Sequence, residues 1–205
     1  PTTASASPNQ SLCVSTPSTT ISGNVPAVGT GTWTLVSGSG TITSPGSAVT
    51  TVTNLAVGIN VFEWIISNGI CGATTASVQI TVEPMPTTPV AGTNQTICIG
   101  SPVTMAGNTP AIGTGSWTVI SGSGTITTPT LASTAITGLG VGTNVFAWTI
   151  SGACASASST VSVTVDQIPS AAVAGPNQNL CAATSVNLNA TNPAVGVGTW
   201  SVIAG

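Results

Sequence analysis

Apolar and polar residues alternate with a period of two along short stretches of this chain, and Gly, Pro, Asn and Ser separate those stretches. Period two places successive side chains on opposite faces of a strand, so the pattern predicts an all-β chain. Near the start it predicts seven strands, at Ser11–Cys13, Thr19–Gly23, Gly31–Ser37, Gly40–Thr43, Val49–Leu55, Asn60–Ser67 and Thr75–Glu83. The alternation also assigns faces. Trp33 and Leu35 point inward on the third strand, Phe62, Trp64 and Ile66 on the sixth, and Val78, Ile80 and Val82 on the seventh. Thr, Ser and Gln between them face water. No helix signature competes.

The pattern then recurs. Asn9-Gln10-Ser11-Leu12-Cys13 returns as Asn94-Gln95-Thr96-Ile97-Cys98 and as Asn177-Gln178-Asn179-Leu180-Cys181. Pro26-Ala27-Val28-Gly29 returns at 110–113 and 193–196, and Trp33 is matched by Trp117 and Trp200. Further along, Asn60–Trp64 matches Asn144–Trp148, and Ser67–Cys71 matches Ser151–Cys154 with one residue deleted. The spacing is about 84 residues, the length of one small β-sandwich. We therefore expect repeat 1 at 1–88, repeat 2 at 89–171 and a truncated repeat 3 at 172–205, too short to close a sandwich. In the second repeat the inward residues are Trp117 and Val119, then Phe146, Trp148 and Ile150, then Val161, Val163 and Val165. Pro84-Met85-Pro86 and Ile168-Pro169 read as short stiff linkers. Seven short strands per unit with a Trp on the third predict tandem immunoglobulin-like β-sandwich repeats, with Trp33, Trp64, Trp117, Trp148 and Trp200 as core anchors.

Composition narrows the function. The 205 residues include no Lys, Arg, His or Tyr, only three acids, and a net charge of −3. Without cations the chain cannot displace counterions from phosphates, which excludes nucleic acid as a partner. Glu63, Glu83, Asp166 and the five cysteines are the whole stock for acid–base work, so an enzyme is not expected. With no His, no CxxC pair and no two acids close together, neither a metal nor another cofactor is expected. No apolar run reaches 18 residues, so direct membrane insertion is not expected either.

The runs Ala174-Gly175-Pro176-Asn177-Gln178-Asn179-Leu180-Cys181 and Leu139-Gly140-Val141-Gly142-Thr143-Asn144, the Gly-Thr-Trp strand and the closing Val161–Val165 strand resemble the PKD-like and Ig-like repeats of giant Bacteroidota cell-surface proteins, the gliding-motility adhesins among them. The resemblance covers the whole chain. It implies an extracellular, repetitive stalk or adhesin on the cell surface, exported by a system that reads a C-terminal domain outside this sequence. Many PKD-type domains carry an Asp-rich loop where this chain has Pro26-Ala27-Val28-Gly29, a departure that argues against calcium.

Cys13, Cys71, Cys98, Cys154 and Cys181 read as structural disulfide formers in an oxidising compartment. Spacing favours Cys13–Cys71 and Cys98–Cys154, closing loops of roughly 57 residues, each worth about 3–4 kcal/mol in the chain-entropy account. Topology favours another pairing. Within one sandwich Cys13 and Cys71 belong at opposite ends, separated by a strand of ~17–20 Å, whereas bonded Cα atoms lie within about 7 Å. Head-to-tail repeats would instead bring Cys13 to Cys154, leaving Cys71, Cys98 and Cys181 for further units. The sequence leaves both pairings open.

Glu63 reads as a solvated surface charge, and Glu83 and Asp166 as equivalent strand ends before a linker, solvated or bound to the next unit's amides. Asn9, Asn94 and Asn189 head glycosylation sequons. Two functions remain. The first is a structural segment of an extracellular fibre or stalk, partnered by neighbouring repeats of the same chain and by other copies. The second is an adhesive module that recognises glycans or surfaces through its loops. The near-identity of Val36–Thr43 and Ile120–Thr127 favours spacer over reader.

Overall fold

Each alternating stretch of the first repeat forms a strand: β1 (Gln10–Cys13), β2 (Thr19–Ser22), β3 (Thr30–Ser37), β4 (Thr41–Ile42), β5 (Val49–Thr53), β6 (Gly58–Ser67) and β7 (Ala73–Glu83). A single 3-10 turn at Gly69–Cys71 precedes β7. The second repeat matches it with β8 (Gln95–Cys98), β9 (Val103–Ala106), β10 (Thr114–Ser121), β11 (Thr125–Ile126), β12 (Ser133–Thr137), β13 (Gly142–Ser151) and β14 (Ser156–Asp166). The computed structural model describes residues 1–182 and 185–204, and among these no strand follows Asp166.

The first seven strands make two sheets, ordered β1-β7-β6-β3 and β2-β5-β4. The others make sheets ordered β8-β14-β13-β10 and β9-β12-β11. These are tandem immunoglobulin-like β-sandwich domains, all-β as the alternation requires. By compactness the chain divides into a unit of Pro1–Val90, Asn108–Ser116 and Thr149–Ser159 and a unit of Ala91–Gly107, Trp117–Trp148 and the residues from Thr160 on.

In the first sandwich, β6 runs antiparallel to both β3 and β7, and β1 runs parallel to β7. Ile21, Trp33, Val52, Phe62, Trp64, Ile66, Val78, Ile80 and Val82 are buried at 0–1% exposure. Each of the aliphatic ones stabilises the fold by roughly 1.5–3 kcal/mol relative to leaving it in water. Trp33 and Trp117 donate their indole N–H groups to the carbonyls of Ala48 and Ala132.

Two expectations need correction. Leu35 and Val119 lie on the inner face, as the Leu35–Phe62 register shows, yet are 40% and 41% exposed. They sit near the ends of edge strands β3 and β10, where the two-residue strands β4 and β11 give too little facing surface to cover them. Trp200 is 55% exposed, because without strand partners it has no second sheet to pack against. It is no core anchor, unlike the other four Trp, each at 2% or less.

Candidate functional site

Cys13 closes β1, in register with Glu83 at the end of β7. Because β1 is parallel to β7, the C-terminal ends of both strands lie on the same side of the sandwich. Cys71 precedes the other end of β7, an 11-residue strand that spans roughly 36 Å at ~3.3 Å per residue. A Cys13–Cys71 bond is thereby ruled out. Cys13 is bonded instead to Cys154, with Cα atoms 5.4 Å apart and a sequence separation of 141. Cys154 lies in the turn between β13 and β14, where the Gly152 N–H donates to the Ala155 carbonyl at 2.8 Å. Both cysteines belong to the first compact unit. Cys71, Cys98 and Cys181 are exposed thiols.

The bond lands on a backbone carbonyl. Sγ of Cys154 lies 3.3 Å from the Glu83 oxygen, which also accepts the Val14 N–H at 3.0 Å. A disulfide sulfur carries no proton, so the first contact is van der Waals and dipolar rather than a hydrogen bond. The Glu83 carbonyl, not its carboxylate, therefore meets the neighbouring repeat's segment.

The residue after each linker is anchored as well. Thr87 donates its N–H to the Ile112 carbonyl at 3.0 Å, and its hydroxyl oxygen accepts the Ile112 N–H at 2.9 Å. Thr2 does the same with Val28, and Ser170 with Val195. Sequence reasoning missed this clamp. Its signal was a Thr or Ser recurring ahead of each Pro-Ala-Val/Ile-Gly turn. In that turn Gly29 has φ +105°, a left-handed conformation in which a Cβ would run into the Ser67 carbonyl.

Buried Asn60 and Asn144 were missed too. Asn60 Oδ1 accepts the Ser39 N–H at 2.8 Å, and its Nδ2 donates to the carbonyls of Ala56 and Gly58 at 2.9 and 3.2 Å. Asn144 makes the equivalent bonds to Ser123, Gly140 and Gly142. The Ser-Gly-Ser-Gly loops recur because a buried amide pins them, so their constancy has a structural cause and does not separate spacer from reader. The sequon residues Asn9 and Asn94 also serve the backbone, their Oδ1 atoms accepting the N–H groups of Gln79 and Ser162 at 2.9 and 3.0 Å.

Among the described residues no three His, Cys, Asp or Glu gather to hold a metal, and no helix is long and apolar enough to cross a membrane. An open cleft of about 510 Å³ lies beside Val25, Pro26, Gly31, Ala48, Val49 and Trp64. It has no charged group, and Trp64 at 1% exposure offers no ring face for a sugar.

No family model and no curated protein matches the chain. Solved structures do. The I-band fragment I67–I69 of titin matches at 17% identity and TM-score 0.52, over 79% of this chain and 64% of that one. Sidekick-1 immunoglobulin domains 1–4 match at 13% identity and TM-score 0.54, over 78% of this chain and 47% of that one. A PKD domain from the KIAA 1837 protein is 26% identical over 43% of this chain and 92% of its own, at TM-score 0.37. The chain spans less than two thirds of the titin and Sidekick-1 structures. Those two likenesses define the class of fold, tandem immunoglobulin-like domains, and at such identities nothing more.

Proposed function

We propose that this chain is a structural segment of an extracellular fibre or adhesin stalk on a bacterial cell surface, of the Bacteroidota gliding-adhesin kind, which supplies length and stiffness. The Cys13–Cys154 bond carries the reading. It joins a residue of the first repeat to one of the second, on this reading limiting how far the Pro84-Met85-Pro86 linker bends. Such bonds persist in oxidising surroundings, which suits a surface protein. Its partners are neighbouring repeats of the same chain and other copies. The resemblance of the repeats to PKD-like surface proteins supplies the setting.

The test measures the end-to-end distance distribution of the intact chain by donor–acceptor labelling near each terminus, oxidised and then reduced and alkylated. The stalk reading expects a narrow distribution that broadens on reduction. An equal width in both states overturns it. Saturable binding on a glycan array would favour the adhesive module.

A further inference from the structure

The open cleft of the first sandwich lies against a strand edge with unused backbone groups. β3 ends the β1-β7-β6-β3 sheet, and its Trp33 N–H turns away from β6 to the Pro45 carbonyl at 2.8 Å. Antiparallel pairing alternates residues that bond the neighbouring strand with residues that face away from it. Gly31, two positions earlier and in register with Ile66, therefore also points its N–H and C=O away from β6. Among the described residues neither group has a hydrogen-bond partner. A Cβ on Gly31 would meet the Trp64 ring, so the inner face at this position opens into the cleft of about 510 Å³. Val25 and Val49, 81% and 58% exposed, line it.

The frame of the cleft recurs in the second repeat and the rest of its lining does not. Gly31, Ala48 and Trp64 return as Gly115, Ala132 and Trp148, whereas Val25, Gly46, Ser47 and Val49 are replaced by Thr109, Thr130, Leu131 and Ser133. Small and aliphatic residues give way to hydroxylated and bulkier ones. Exposure at these positions does not depend on what precedes a repeat: Thr109, Thr130, Leu131 and Ser133 are exposed with the whole first repeat ahead of them in the chain.

We propose that this cleft binds a short extended segment of another protein, uncharged and carrying one branched aliphatic side chain. A residue laid beside Gly31 exchanges two N–H···O=C bonds with it, the pairing by which a strand is added to a sheet edge. Side chains of paired residues share a face, so that residue sends its side chain over Trp64, between Val25 and Val49. Hydrogen bonding and charge together select the occupant. A backbone donor and acceptor are available to a peptide group, and a charged side chain would find no counterion, because no charged residue lines the cleft. A sugar matches the polar groups without the apolar lining, and a free hydrocarbon the lining without the polar groups. The site goes beyond the stalk reading and does not rest on it.

The experiment titrates the full isotope-labelled chain with acetyl-Thr-Thr-Leu-Thr-Thr-amide and follows backbone amide shifts by nuclear magnetic resonance. The expected result is saturable binding with a Kd of about 1 mM, the range open to one side chain and two hydrogen bonds. The Gly31 amide proton moves downfield, and the Gly115 amide at the corresponding position stays in place. Replacing the central Leu by Ala or Lys, or methylating its amide nitrogen, weakens binding by about tenfold or more.

A variant carrying the second repeat's residues, V25T/G46T/S47L/V49S, loses binding to the same extent and keeps the parent spectrum elsewhere, since all four positions are exposed. The Lys and N-methylated peptides make the same test on the unaltered chain. No saturation up to about 10 mM, equal affinity for the Lys peptide, or equal shifts at Gly115 overturn the proposal. Isobutanol or maltose saturating the same amides as tightly as the Leu peptide overturns the choice of occupant. None of these outcomes alters the end-to-end distance distribution, so the stalk reading stands or falls by its own test.

Discussion

Trp33 and Trp64 are register partners across β3 and β6, their ring centroids 5.2 Å apart and their planes at 40°. Trp117 and Trp148 repeat the pair at 5.1 Å and 39° in the second sandwich. Both rings of the first pair are 1% exposed, so W64A would leave a cavity beside an otherwise intact core. It should cost about 3–5 kcal/mol. Urea unfolding followed by fluorescence checks this, with W148A expected to show the same loss.

Glycine at position 31 exists because of that pair. A Cβ there would overlap the Trp64 ring, while a Cβ on Gly46 would meet nothing within 4 Å. G31A should therefore destabilise by about 1–3 kcal/mol through overpacking. G46A should stay within about 0.5 kcal/mol of the parent. Thermal melting of the two variants side by side decides it, and similar losses would count against the packing.

Asn60 is 1% exposed and serves one backbone donor and several acceptors. N60A should cost about 1–3 kcal/mol for each polar group left buried without a partner. Hydrogen exchange at the Ser39 amide should accelerate sharply, while amides of β2 and β5 keep their protection. Uniform acceleration would mean global destabilisation rather than release of the loop.

The Cys13–Cys154 bond closes a loop with a sequence separation of 141, worth about 5 kcal/mol in the chain-entropy account. C13S and C154S should each lower stability by up to about that amount. The double variant should lose no more than either single one, because both remove the same cross-link. Denaturant midpoints of all three variants test this. Additive losses would show that the cysteines act separately.

Much of the fold was legible because strand alternation is a local property. Phe62, Trp64 and Ile66, spaced by two, had to share a face, and a recurring Asn-Gln-x-Leu/Ile-Cys could only mean recurring units. Burial was less legible. Leu35 alternates correctly but ends on an edge strand opposite a two-residue neighbour, and Trp200 has the right local sequence without a sheet to receive it. Both depend on what lies across the sandwich, and alternation says nothing about that.

The candidate site divides along the same line. The sequence by itself determined that the chain is all-β and repetitive, that it lacks the side chains for nucleic-acid binding, and that cysteine is its main chemistry. Only the tertiary structure decided which cysteines meet. Spacing favoured Cys13–Cys71, but the parallel pairing of β1 with β7 carries Cys13 to the far end of an 11-residue strand and beside Cys154. A disulfide forms where Cα atoms come within a few ångströms, and strand direction, a non-local property, sets that distance.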